Sequence, residues 1–96
     1  MPAYVVNEIV VTDPELFQTY VAQVPAILAA YGGRYVVRSG GTVTIEGEDP
    51  GRVVISEFPD RAAALAWRNS PEYQAILAIR DASSTSRVYV VDGYEG

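Results

Sequence analysis

Arg38 stands in a run of valines immediately before a glycine pair, Gly40-Gly41, and Glu57 closes another apolar run just ahead of a proline turn, Phe58-Pro59. A guanidinium held where glycines permit close approach can grip a carboxylate, an enolate or a phenolate through two parallel hydrogen bonds. A carboxylate such as Glu57 serves as a general base if burial raises its pKa, and as a structural ion-pair partner of Arg38 if it does not. Trp67, the only tryptophan, follows an alanine run that leaves room around an indole, and Asn69 and Tyr73 follow it. With Tyr31 these side chains outline a pocket between helices and sheet that suits a flat aromatic or polyketide-like molecule. Arg38 and Glu57 are therefore the candidate catalytic pair, and Tyr31, Trp67, Asn69 and Tyr73 the candidate ligand-binding set. Core packing is the alternative role for the aromatics, and solvent exposure for Arg34 and Arg80.

The composition removes many other chemistries. The chain has no cysteine and no histidine, so it offers no disulfide, thiolate nucleophile, Cys/His zinc site or Ser-His pair. All seven basic residues are arginine, which excludes Schiff-base chemistry on a lysine. Twelve acids against seven bases give a net charge of -5, opposite in sign to what a phosphate backbone or an anionic membrane attracts. No nucleic acid, membrane, metal or cofactor is expected as a partner. The first residues run directly into a strand with no signal-peptide pattern, so the expected compartment is the cytoplasm.

Ninety-six residues make one domain, 1–96, with a modest core. Tyr4 to Val11 is β-branched and reads as the first strand. Asp13-Pro14-Glu15 opens a helix whose apolar stripe runs from Leu16 to Tyr31 through Pro25, where a kink is expected, and Gly32-Gly33 ends it. Arg34 to Ser39 is the second strand, with Arg34 and Arg38 on one face by alternation, a bulge at the glycine pair and a resumption over Thr42 to Glu46. After a turn over 47–51, Arg52 to Phe58 is the third strand. Pro59-Asp60 starts a second helix that Ser70-Pro71-Glu72 interrupts. A polar loop over 81–86 then leads to a last strand from Arg87 to Asp92.

This order, β-α-β-β-α-β, with right-handed crossovers, gives an α+β ferredoxin-like antiparallel sheet with both helices on one face and strand one between strands three and four. The strands are apolar on both faces: Val5, Ile9 and Val11 alternate with Tyr4, Val6 and Val10, and strands three and four behave alike. A sheet with one solvated face alternates apolar and polar. The uncovered face is therefore expected to meet a second copy in a two-fold dimer. Asn7 and Glu8 lie mid-strand, so one of them must be buried and find a hydrogen-bond partner, a role suited to fixing dimer geometry.

Three stretches, Tyr31 to Gly41, Glu57-Phe58-Pro59-Asp60 and Ser70-Pro71-Glu72-Tyr73-Gln74, resemble the small bacterial family called domain of unknown function 1330, of the dimeric α/β-barrel superfamily. The likeness extends through Thr12-Asp13-Pro14-Glu15 and Val91-Asp92-Gly93-Tyr94. It implies ferredoxin-like protomers joined sheet to sheet, with no agreed activity. Distant superfamily relatives include cofactor-free monooxygenases, muconolactone isomerases and haem enzymes, and the haem branch does not transfer to a chain without an axial histidine. Two functions fit: a small homodimeric enzyme acting on an aromatic or keto-enol metabolite without metal or haem, and a non-catalytic dimer that binds a metabolite or another protein. A pure assembly module is disfavoured by the buried polar residues.

Overall fold

Three of the four helices of the described residues begin at a residue built to start one. Asp13 accepts from the Leu16 N–H at 3.2 Å, Asp60 from Ala63 at 2.8 Å and Ser70 from Tyr73 at 3.2 Å, satisfying donors that the first turn leaves orphaned. In the computed structural model, which describes residues 1–94, the elements run β1 (Ala3–Val11), α1 (Pro14–Val21), α2 (Val24–Ala30), β2 (Arg34–Gly40), β3 (Arg52–Phe58), α3 (Arg61–Arg68), α4 (Pro71–Ser83) and β4 (Ser84–Asp92). The sheet is antiparallel in the order β2-β3-β1-β4, the ferredoxin-like α+β arrangement expected from the sequence. Helices cover one face only, and the molecule is a slab of 37 × 37 × 16 Å. Val5, Ile9, Phe17, Leu28, Phe58 and Trp67 anchor the core between the layers.

Four local expectations change. The first helix does not kink at Pro25 but breaks a turn earlier, because a proline ring excludes the carbonyl four residues back and forces the chain to restart at Val24. Thr42 to Glu46 does not resume β2: residues 41–51 form a loop, and Val43 and Ile45 stand 91% and 97% exposed. The loop expected over 81–86 is also absent. The Ser83 and Ser84 hydroxyls donate to the Ile79 and Arg80 carbonyls at 2.6 Å, so α4 continues to Ser83 and passes directly into β4. Arg80, expected at the surface, is buried in the same turn.

The β2–β3 pairing carries the change that matters most for the site. Tyr35 lies opposite Ser56 but Val37 lies opposite Ile55, so Val36 is an extra residue, and a second one follows between Arg38 and Gly40. A bulged residue reverses the faces of everything after it. Arg34 therefore shares the outer face with Glu57, and Arg38, opposite Val54, shares the helix-covered face. Simple alternation had put the two arginines together.

The outer face is as apolar as the sequence indicated. Val10 and Val91 are 56% and 48% exposed, with Tyr89 beside them. Two glutamates sit on this face, each held by a tyrosine and an arginine. Glu57 accepts from Tyr4 Oη at 2.9 Å and pairs with Arg34 at 2.8 Å, and Glu8 accepts from Tyr89 Oη at 2.7 Å with Arg87 at 3.6 Å. No helix of the described residues is long and apolar enough to cross a membrane.

Candidate functional site

Breaking the first helix leaves a cleft between the helix layer and the β2–β3–β1 side of the sheet, with about 520 Å³ of empty volume including its open mouth. The enclosed cavity itself is about 50 Å³, below the roughly 300–1,000 Å³ of sites that engulf a drug-sized ligand, so a flat molecule seated here extends through the open mouth. Phe17, Tyr20, Val24 and Leu28 from α1 and α2 form one wall, and Trp67 from α3 another. Asn7, Ile9, Val54 and Ser56 make the floor. Arg38 is the one exposed lining residue, so it marks the mouth, where Tyr35 and Arg52 accompany it. The bulge at Val36 is what delivers it there.

The mouth is cationic and aromatic. The Arg38 guanidinium lies 4.7 Å from the centroid of the Tyr35 ring, and that of Arg52 lies 5.7 Å from Phe17. Burial pushes the Tyr35 phenol up, against the pull of the neighbouring Arg38 charge. Deeper in, Asn7 Nδ2 makes a long contact of 3.5 Å to the Val54 carbonyl. Tyr20 Oη lies 2.7 Å from Tyr73 Oη, which in turn accepts from Arg80 Nη1 at 3.3 Å. Burial first, and then the adjoining Tyr73, drive the Tyr20 phenol far above its ordinary value, so it is protonated at every working pH. Among the described residues no carboxylate lines the cleft, and no group of three His, Cys, Asp or Glu side chains could hold a metal ion.

The six candidate residues are thus divided. Arg38 and Trp67 come together in the cleft. Glu57 does not meet Arg38: it lies on the outer face, where the hydrogen bond from Tyr4 and then Arg34 hold its carboxyl below the usual range. Tyr73 is fully buried behind Trp67, ring centroids 4.6 Å apart, and supports that wall without lining the cleft. Tyr31 donates to Glu72 at 3.0 Å across the helix surface, and Asn69 is the exposed residue that caps the end of α3. Tyr20, Tyr35, Arg52 and Ser56 are cleft residues that sequence reasoning did not single out. Tyr20 was visible only as one member of an apolar stripe, and β3 alternation with Phe58 was the available signal for Arg52 and Ser56.

The family model of a domain of unknown function (DUF1330) matches residues 2–94. A search of curated proteins returns no match. Among solved structures, the chain is similar to a protein of unknown function from Rhodopseudomonas palustris, at 19% identity and a TM-score of 0.82, over 99% of this chain and 84% of that one. It is also similar to SnoaB, a cofactor-independent oxygenase from Streptomyces nogalater, at 18% identity and a TM-score of 0.67, over 99% and 95%. An antibiotic biosynthesis monooxygenase aligns at 17% identity and a TM-score of 0.57, over 98% and 99%. At such identities the likeness is one of fold, that of the dimeric α/β barrels.

Proposed function

The chain belongs to the DUF1330 family, whose description names no activity, and from the cleft itself we propose that it binds a small, flat aromatic or keto-enol metabolite in anionic form. One observation carries this reading: a guanidinium set by a backbone bulge at the mouth of a mainly apolar, aromatic-walled cleft. Arg38 meets the carboxylate, enolate or phenolate of the ligand, Arg52 adds positive potential, and Trp67 and Phe17 supply aromatic wall surface. An enolate or phenolate held in a dry site beside a cation already has the electrons that cofactor-independent oxidation or isomerisation draws on. SnoaB, of the same fold, is a cofactor-independent oxygenase, which lends that class of chemistry support. A second reading, binding without catalysis, is favoured by the lack of any carboxylate base along the described lining.

The test is calorimetric titration with 1-hydroxy-2-naphthoate. Saturable binding is expected, weakened by salt, and reduced about tenfold or more in Arg38→Met, as for loss of a charge-assisted hydrogen bond. An unchanged affinity in that variant, with its circular dichroism intact, overturns the proposal.

The outer face of the sheet is proposed to pack against the same face of a second copy. Support comes from the fold class, from the exposed Val10, Tyr89 and Val91, and from the two Tyr-Glu-Arg clusters that neutralise the only acids among the β1 and β3 residues of that face.

A further inference from the structure

Two neutral hydrogen-bond donors are left over in the buried part of the cleft. Trp67 is 3% exposed, lines the cleft, and has no partner for its Nε1–H among the described residues. Buried polar groups are nearly always satisfied, so an orphaned indole N–H in a cavity wall calls for an acceptor that the chain does not supply.

The second donor follows from counting protons. A guanidinium only donates, so in the 3.3 Å contact Tyr73 Oη accepts from Arg80. The two phenols of Tyr20 and Tyr73 then share one hydrogen bond of 2.7 Å but own two protons, and one is spare. Were Tyr20 the donor, the spare proton would sit on Tyr73, which is fully buried and does not line the cleft. With Tyr73 as the donor, the bonds run one way from Arg80 through Tyr73 to Tyr20, each polarising the next. The spare O–H then belongs to Tyr20, which does line the cleft. Both leftover donors flank one ring, since Tyr73 lies 4.6 Å from Trp67 and 6.2 Å from Tyr20 between centroids.

We propose that Tyr20 Oη–H and Trp67 Nε1–H form an acceptor-recognising end of the cleft, which selects ligands carrying a carbonyl or oxyanion oxygen opposite the acidic group that meets Arg38. This rests on the reading of the cleft as a small-molecule site. It narrows the substrate class from flat anions in general to those with a second oxygen at the inner end, such as quinone or keto-enol carboxylates. Arg80 acts through Tyr73 as a positioning residue, fixing the direction of the proton chain and touching no ligand.

The probes are 1,4-naphthoquinone-2-carboxylate and 2-naphthoate, which share two fused rings and a carboxylate and differ in the two carbonyl oxygens. The chain has no cysteine for the quinone to alkylate. The quinone is expected to bind about tenfold more tightly than the naphthoate, and Tyr20→Phe, which keeps the ring, to weaken the quinone several-fold more than the naphthoate and so remove most of that margin. Arg38→Met weakens both probes. The single indole N–H resonance of the unaltered protein moves downfield with the quinone and not with the naphthoate, a readout that needs no variant to fold. Equal binding of the two probes with an unmoved indole resonance overturns the donor pair and leaves the cleft reading standing. Failure of both probes to bind overturns the two together.

Discussion

Replacing Gly33 by alanine adds a single methyl group at the start of β2, and the structure leaves nowhere to put it. The new Cβ would lie 2.7 Å from two ring carbons of Phe58 and 2.9 Å from Leu28 Cγ. Carbon atoms rest at about 3.5–4.0 Å, so the methyl intrudes by roughly 0.8 Å on a ring that is itself fully buried. Phe58 cannot retreat freely, because it packs on Trp67 with centroids 5.4 Å apart, and Leu28 is a wall of the cleft. Overpacking of this kind costs about 1–3 kcal/mol, and in a domain of this size each kcal/mol lowers the melting midpoint by about 4–8 °C. Gly33→Ala is therefore expected to melt about 4–24 °C below the parent. Gly47→Ala is the control: its φ of +84° strains any side chain, but no atom lies within 4 Å of the new Cβ. Melting is followed by Trp67 fluorescence at one fixed protein concentration, since association makes the midpoint concentration-dependent. Because Phe58 pushes on Trp67, the folded-state emission of Gly33→Ala should shift as well. A midpoint within a degree of the parent, or a smaller loss than in Gly47→Ala, refutes the packing argument.

Glu57 sets an acid limit. Its folded pKa lies below the unfolded carboxylate value of about 4.3, so its contribution is present above that value and is lost as pH falls through the lower folded one. Glu57→Gln should be less stable than the parent at pH 7, with the gap closing below about pH 4 in urea unfolding, and a constant gap to pH 3 would contradict this. Ser70→Ala removes both the cap on Tyr73 and the 2.7 Å bond to the Trp67 carbonyl, for a loss of about 1 kcal/mol, measured by the same unfolding; a neutral result would deny Ser70 its role in holding the cleft wall. Val91→Arg on the outer face should convert a two-chain species to one chain in sedimentation at micromolar concentration, and a parent that already sediments as one chain rules out the sheet-to-sheet interface.

What could be read in advance follows from which features leave a mark in residue types. Asp13-Pro14, Asp60 and Ser70-Pro71 announce helix starts because a cap needs particular side chains, and the β-α-β-β-α-β succession with right-handed crossovers gave the strand order. Val36 leaves no mark, since an extra valine among valines is indistinguishable from a paired one. That single residue misassigned the face of Arg38 and with it the partner of Glu57. Ser83 and Ser84 read as loop because serine is a poor helix former, and only their bonds to the preceding carbonyls reverse the inference. The Arg80–Tyr73–Tyr20 chain joins α4 to α1 and has no local signature at all.

The bulge at Val36 makes β2 a strand whose two halves obey opposite odd-even rules. Residue count along it is thus a form of address: Arg34 is sent to the outer face of the sheet, proposed to meet a second copy, and Arg38 to the helix-covered face that lines the cleft. Deleting Val36 alone would remove the bulge yet leave Val37 opposite Ile55 and Arg38 opposite Val54, whereas deleting a second residue between the two arginines would turn Arg38 to the outer face beside Glu57 and leave the mouth of the cleft without it. Changes of length in this short stretch therefore decide whether Arg38 faces the cleft or the outer side of the sheet, and an aligned arginine in a relative holds the same place only where the face alternation of the strand is kept.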